Sequence, residues 1–226
     1  MDINIIYEDN NILVAEKPPG IASQSDKTGD DDLMAILDRN GLHLIHRLDR
    51  PVGGVIVYGK NKNAASKLSR QVSENTIIKE YLAVVCGNAE KNEVVLTDHL
   101  KKLRTINMSK VVEAETPGAK KAELSYSVIS RVDSDEFEKL SLLKVRLKTG
   151  RHHQIRVQLA NAGLPIWGDN KYNRVFMKKK GWTQIALWSY SLTIRHPADN
   201  RIMELKSLPD DTEPWNQFSN SIKELI

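Results

Sequence analysis

Cysteine is nearly missing from this chain, with Cys86 the only one in 226 residues. An internal disulfide is therefore excluded, and no Cys/His cluster has the spacing of a zinc site, which points to an intracellular, reducing compartment. Cys86 ends the apolar run Leu82-Ala83-Val84-Val85-Cys86, where a buried, inert thiol is expected. The start, Met1-Asp2-Ile3-Asn4, lacks the basic residues and apolar stretch of a signal peptide. No uninterrupted apolar run approaches the roughly 18 residues a membrane span needs, so a cytoplasmic protein with no membrane partner is expected. There is also no glycine-rich loop of the Rossmann or P-loop type, no internal repeat and no low-complexity segment. Nothing in the residues calls for a nucleotide cofactor or a metal.

What the chain has is enough apolar content, 40%, for one globular domain spanning 1–226 or for two tightly joined halves. No Pro/Gly-rich linker divides it. The net charge of +4 and pI near 9.0 suit a polyanionic partner held through phosphate neutralisation. Ile12 to Glu16 reads as a strand stopped by Pro18-Pro19-Gly20. Leu33, Ile36 and Leu37 recur at helical spacing after Asp30-Asp31-Asp32, which predicts a short helix with an acidic first turn. Val55 to Tyr58 is a buried strand leaving Gly53-Gly54, and Ala64, Leu68 and Val72 mark one face of a following helix. Tyr81 to Cys86 forms another strand. Leu143, Val145 and Leu147 alternate with Lys144, Arg146 and Lys148, the pattern of a half-exposed strand with a basic outer side. Thr149 is the expected N-cap of a helix carrying Ile155, Leu159 and Ala162, with Gly163 ending it in left-handed geometry. Thr97 to Lys121 is lysine-rich without clear periodicity and is expected to be a mobile loop pair. Strands with short connections, interrupted by few helices, predict an α+β fold: a mixed, mostly antiparallel sheet flanked by helices, with a central active-site cleft.

Three segments carry candidate chemistry. In His46-Arg47-Leu48-Asp49-Arg50-Pro51-Val52-Gly53-Gly54, cations surround one carboxylate and would keep it ionised, as a nucleophile or charge stabiliser requires. By spacing alone the same run is equally a solvated turn whose charges pair at the surface. Lys148-Thr149-Gly150-Arg151-His152-His153-Gln154-Ile155-Arg156 turns from a strand end into a helix whose N–H groups and arginines could hold phosphate, or whose Arg151 or Arg156 could clamp Asp49. Its plainer alternative is an ordinary basic helix start. Its histidines lack the carboxylate or cysteine companions of a metal site. Lys79-Glu80-Tyr81-Leu82-Ala83-Val84-Val85 places an aromatic at the opening of an apolar strand, either to meet a flipped base or simply to fill the core.

Together, and in this order, the segments resemble the RluA family of pseudouridine synthases over nearly the whole chain. The first of them is similar to the family's signature. Ile12-Leu13-Val14-Ala15-Glu16-Lys17-Pro18-Pro19-Gly20 is similar to its opening strand and Lys-Pro-x-Gly turn, and Gly168-Asp169, Tyr172 and His196-Pro197 fit its later segments. Three positions depart from it: Gly53 where serine is common, His152 where threonine is common, and Trp188 where histidine is usual.

The resemblance implies an isomerase that converts uridines of rRNA or tRNA to pseudouridine without cofactor or metal. It implies that Asp49, Tyr81 and Arg156 are catalytic, with Arg156 pairing Asp49 and Tyr81 contacting the base. It also implies that His46, Arg47, Arg151 and Gln154 bind substrate, Arg47 filling the stack left by the flipped nucleotide. RNA would lie on a basic surface drawn from Lys101, Lys102, Arg104, Lys120, Lys121, Lys144, Arg146 and Lys178-Lys179-Lys180. A monomeric, stand-alone catalytic domain without an S4-type RNA-binding domain is expected. Two rivals stay open: an RNA-binding or assembly protein that kept the fold and lost the chemistry, and a glycosidase or phosphodiesterase using Asp49 with His46.

Overall fold

The computed structural model describes residues 2–25, 30–38 and 41–225. In chain order its elements are β1 (Ile5–Glu8), β2 (Ile12–Lys17), α1 (Leu33–Leu37), β3 (His43–Leu44), β4 (Gly53–Gly59), α2 (Lys62–Ser73), β5 (Ile78–Cys86) and β6 (Glu93–Leu103). There follow β7 (Met108–Val112), β8 (Lys120–Ser134), β9 (Glu138–Leu147), α3 (Gln154–Asn161), β10 (Leu187–Arg195), β11 (Ile202–Lys206), a 3-10 turn (Trp215–Phe218) and α4 (Ser219–Lys223). This is the expected α+β class, and the backbone falls into two compact units.

The first unit comprises residues 1–80 and 188–209. Its strands run in the order β1-β2-β4-β10, with β11 on β10 and β3 on β4. All these pairs are antiparallel except β4 with β10, where Trp188 faces Gly53 and Ser189 faces Gly54. That parallel pair is what makes the sheet mixed. Asn61 caps α2, its side chain accepting from the Ala64 amide at 2.9 Å. Leu68 and Val72 of that helix pack on a core of Ile12, Val14, Val55, Val57, Leu192 and Ile194. The period-two strands and the period-3.6 helix thus bury the faces their apolar spacing predicts. Asp32 is the N-cap of α1, accepting from the Ala35 amide at 3.0 Å. The acidic run therefore stands before the helix and not in its first turn, because a short carboxylate serves best at the cap itself.

The second unit comprises residues 81–187 and 210–226. Its strands run β5-β9-β8-β6-β7. The lysine-rich stretch expected to be loops is strand for most of its length. β6 and β7 form an antiparallel hairpin, His99 to Leu103 against Val112 to Met108, and β6 pairs again with β8. The apolar signal is thin there because only Leu100 and Val111 of the hairpin pack inward, on Ala122, Val157 and Tyr172. On β9, Leu140, Leu142, Leu143 and Val145 are fully buried while Arg146 is exposed, so the predicted alternation holds only at its end. Cys86 is buried, and burial pushes its thiol up to about 12, the inert state expected of it.

The helix of the third motif starts later than expected. Its N-cap is His153, in left-handed geometry at φ 54°, and α3 runs from Gln154. Thr149 cannot cap it: its hydroxyl accepts from the Glu123 amide at 2.9 Å and bonds the Gln154 amide oxygen at 2.8 Å. Gly163 does close the helix in left-handed geometry, at φ 79°.

Candidate active site

Asp49 lies in the first unit, on the loop between β3 and β4. Two buried side chains shape that loop. The Ser23 hydroxyl accepts from the Leu48 amide at 3.1 Å and donates to the Leu48 carbonyl at 3.0 Å, fixing the residue before the carboxylate on both sides. The loop then turns with Val52 N–H donating to the Asp49 carbonyl at 2.9 Å.

Beneath it, Lys17 is wholly buried, and its ammonium donates to the carbonyls of Pro18 at 2.9 Å, Ile21 at 2.7 Å and Arg50 at 3.1 Å. Three N–H groups thus meet three acceptors. Desolvation pulls the Lys17 pKa down to about 7, against an opposing pull from the Asp49 charge, with Arg50 adding to the depression. A cation under a carboxylate and on the backbone of its own loop both favours the ionised carboxylate and rigidifies its support. The sequence offered Lys17 only as part of a turn motif. Its place on the face shared with Leu13 and Ala15 is the one signal that it points inward.

The other first-unit residues divide. Arg47 is exposed. Arg50 pairs with Asp30 at 2.9 Å. His46, expected at the substrate, instead has its Nε2 accepting from the Val57 amide of β4 at 3.4 Å, while its Nδ1 is buried without a partner among the described residues. Desolvation, with Lys79 adding, lowers the His46 pKa to about 3. A neutral imidazole turned onto a strand is a poor proton donor, which weakens the glycosidase reading.

The remaining candidates lie in the second unit. Tyr81, buried, opens the part of β5 that belongs to it. Arg156 is buried on α3, and two of its nitrogens reach Asp169 as a fork, Nε to Oδ2 at 2.8 Å and Nη2 to Oδ1 at 2.7 Å. Asp169 also accepts from the amides of Lys171 and Tyr172 at 2.9 and 3.2 Å, and the Arg156 guanidinium lies 5.3 Å from the centre of the Tyr172 ring. Asp169 and Tyr172, seen in the sequence only as parts of a later segment, are therefore what holds this arginine in place. Asp49 and Arg156 belong to different units.

The segment before α3 is bound by side chains. Gln154 is buried, its oxygen accepting from the Arg151 amide at 2.9 Å and its nitrogen donating to the Glu123 carbonyl at 3.1 Å. It shapes the turn, where the sequence suggested a substrate contact. Arg151 is exposed and spends Nε on the Lys121 carbonyl at 2.9 Å. Tyr172 O–H lies 2.9 Å from His153 Nδ1, and the Ser109 amide donates to the same hydroxyl at 2.7 Å. Desolvation first, then Arg156, drives the His153 pKa down to about 2, so its ring is neutral and Nδ1 accepts the tyrosine proton. His152, one of the departures, reaches Ser109 Oγ at 2.9 Å and Asn107 at 3.1 Å and stacks on His153 at 3.8 Å. It thereby ties the turn of the β6–β7 hairpin to the start of α3.

Residues 11–161 match the family model for RNA pseudouridylate synthase, and the chain belongs to that family, in its RluA branch. It is 32% identical to ribosomal large subunit pseudouridine synthase C of Pasteurella multocida over 94% of this chain and 66% of that protein. It is 30% identical to tRNA pseudouridine synthase C of Haemophilus ducreyi over 97% of this chain and 96% of that protein. The chain thus spans just under two thirds of the first relative and nearly all of the second. Among solved structures, human RNA pseudouridylate synthase domain containing 1 shares the fold, with a TM-score of 0.77, 21% identity, and coverage of 98% of this chain and 95% of that one.

Proposed function

We propose that the chain isomerises uridines of rRNA or tRNA to pseudouridine, with Asp49 as the essential carboxylate. The observation that carries this is the construction of the Asp49 loop: a carboxylate within the family-matched residues, over a buried cation, with its neighbour Leu48 fixed on both sides by Ser23. Such preorganisation serves a group whose charge must be held ready for a reacting sugar or base. Asp49 acts at the ribose of the target uridine while the glycosidic bond from N1 breaks. The uracil turns and rejoins through C5, whose proton is then lost. Tyr81 meets the base and Arg47 fills the stack from which the nucleotide was flipped. Arg156, steadied by Asp169, is the charge partner of Asp49, and Arg151 takes a backbone phosphate. Relatives named for both large-subunit RNA and tRNA leave both substrate classes within the proposal.

The test is pseudouridine mapping of rRNA and tRNA from cells with and without the gene, repeated with Asp49→Asn. The expected outcome is loss of a defined set of pseudouridines in both the deletion and the variant, with RNA affinity of the variant within a few-fold of wild type. Pseudouridine formed by Asp49→Asn at the wild-type rate would overturn the assignment.

A further inference from the structure

Residues 174–182 of the second unit combine cationic and apolar side chains in a segment that the proposed chemistry does not use. Its root is fixed. Asn173 is buried, its side-chain nitrogen donating to the Ile166 carbonyl at 3.0 Å and its oxygen accepting from the Val175 amide at 3.0 Å. Phe176 is buried edge-on against Trp167, ring centres 5.0 Å apart, and stacks with Phe137 at 5.9 Å. Everything after Phe176 up to Trp182 is exposed. Trp182 is 71% exposed and Met177 55%, whereas Trp188 and Trp215 are buried and Trp167 is partly so. An indole left in water forgoes the burial that large aromatics normally obtain, so its exposure asks for an occupant.

The neighbours say which. Of the lysines immediately before it, Lys179 lies over the Phe176 ring at 4.7 Å and pairs with Glu136 at 2.7 Å. Lys178, Lys180 and the exposed Arg174 have no salt-bridge partner among the described residues. Protein interfaces are depleted in lysine at their cores, since desolvating such charges is costly. A nucleic-acid strand uses both features at once, phosphates on the ammonium groups and a base face on the indole. Bases inside a duplex are already stacked and present no free face, so the fit is to a single strand.

We infer that Trp182 and Lys178 to Lys180 form a stacking and phosphate-binding arm for a single-stranded RNA segment lying outside the reacting nucleotide. The inference rests on the reading of the chain as an enzyme of RNA. Trp182 supplies the platform for one base, and Lys178 and Lys180 neutralise flanking phosphates.

The experiment measures fluorescence anisotropy of a fluorescein-labelled single-stranded RNA of roughly 20 nucleotides, and of the matching duplex, against full-length protein. Trp182→Ala is expected to weaken single-strand binding about tenfold and duplex binding far less, while Trp182→Phe, which keeps a stacking face, stays within a few-fold of wild type. The double variant Lys178→Gln with Lys180→Gln should make the salt dependence shallower by a log–log slope of about one. Because the substituted residues are exposed, thermal melting is expected to be unchanged, and it is recorded alongside. Single-strand affinity unaltered by Trp182→Ala overturns the arm, as does an equal loss on the duplex, or a change confined to self-association by light scattering. The same preparations are assayed for pseudouridine formation. Inactive wild type whose RNA binding still depends on Trp182 sinks the enzymatic reading and upholds the arm. Active protein whose binding ignores Trp182 sinks the arm alone.

Discussion

The loop of Asp49 in the first unit and the turn leading into Arg156 in the second are both irregular segments dense in candidate chemistry, yet they are held by opposite means. The Asp49 loop rests on a buried lysine that binds only backbone carbonyls. Arg156 rests on a buried carboxylate that binds it with two parallel bonds. A lysine in that setting can surrender its proton, and burial has already brought it near the point of doing so. A guanidinium cannot, so its carboxylate is needed at every pH. The two supports should therefore fail differently.

The largest effect is expected from Asp169→Ala, which strips the buried guanidinium of two hydrogen bonds and two amides of their acceptor. Breaking a buried pair from one side costs about 3–5 kcal/mol. Lys17→Met leaves three carbonyls without their donor and should cost about 1–3 kcal/mol. Urea unfolding of both variants checks this, and equal losses would erase the contrast.

Acid brings the two units together again, since each holds one histidine far below its usual range, His46 at about 3 and His153 at about 2. Both are neutral in the folded chain and become protonated first in the unfolded one, near 6.5. The stability they contribute is complete above 6.5 and is lost as the pH falls toward 3. Wild type should lose a few kcal/mol between about pH 6 and 4, and His46→Asn or His153→Asn should each flatten that limb. A limb unchanged in both variants would assign it elsewhere.

The alkaline side separates the units. Lys17 titrates near 7 when folded and 10.5 when unfolded, so its charged form is penalised in the native state at neutral pH. Stability from this group rises as the pH climbs from about 7 toward 10.5 and is lost on the way back down. From pH 7 to 9 wild type should gain about 2 kcal/mol relative to Lys17→Met, whereas Asp169→Ala should follow wild type in slope. A slope in Lys17→Met equal to that of wild type would show that Lys17 stays charged throughout.

How much of this could be read from the residues alone follows the same division. The first unit was largely legible: Val55 to Tyr58 and the face of Ala64, Leu68 and Val72 lie in the strand and helix their spacing predicts. Each buries one apolar face, and periodicity reports that directly. The second unit was less so. Its β6–β7 hairpin packs few side chains inward, so little apolar rhythm survives among the lysines. The start of α3 was displaced because Thr149, a good cap by type, is engaged by Glu123 and Gln154. The site itself was legible as a set of residues and not as a network. Asp49 and Arg156 stand out by motif, but Lys17 binds a carbonyl 33 residues away and Arg156 a carboxylate 13 residues on, and no local pattern encodes either.

The smallest effect tests whether the departures at Gly53 and Trp188 are one event. These residues face each other across the parallel β4–β10 pair, and a Cβ added at Gly53 would stand 2.2 Å from the Trp188 ring. The indole is held there by its N–H, which donates to the Ser207 carbonyl and hydroxyl at 3.1 Å each, so it cannot swing aside cheaply. Serine at position 53 and a large ring at position 188 are mutually exclusive, which explains why the usual serine and the usual histidine are absent together. Gly53→Ser alone should overpack the start of β4 and cost about 1–3 kcal/mol. Adding Trp188→His should recover part of that, giving a coupling of about 1 kcal/mol in a double-mutant cycle read by thermal or urea unfolding. Because β4 directly follows the Asp49 loop, the single variant should also lower the rate of pseudouridine formation and the double variant restore it in part. Additive losses would mean that the two departures arose independently, and that the indole yields more readily than its hydrogen bonds to Ser207 suggest.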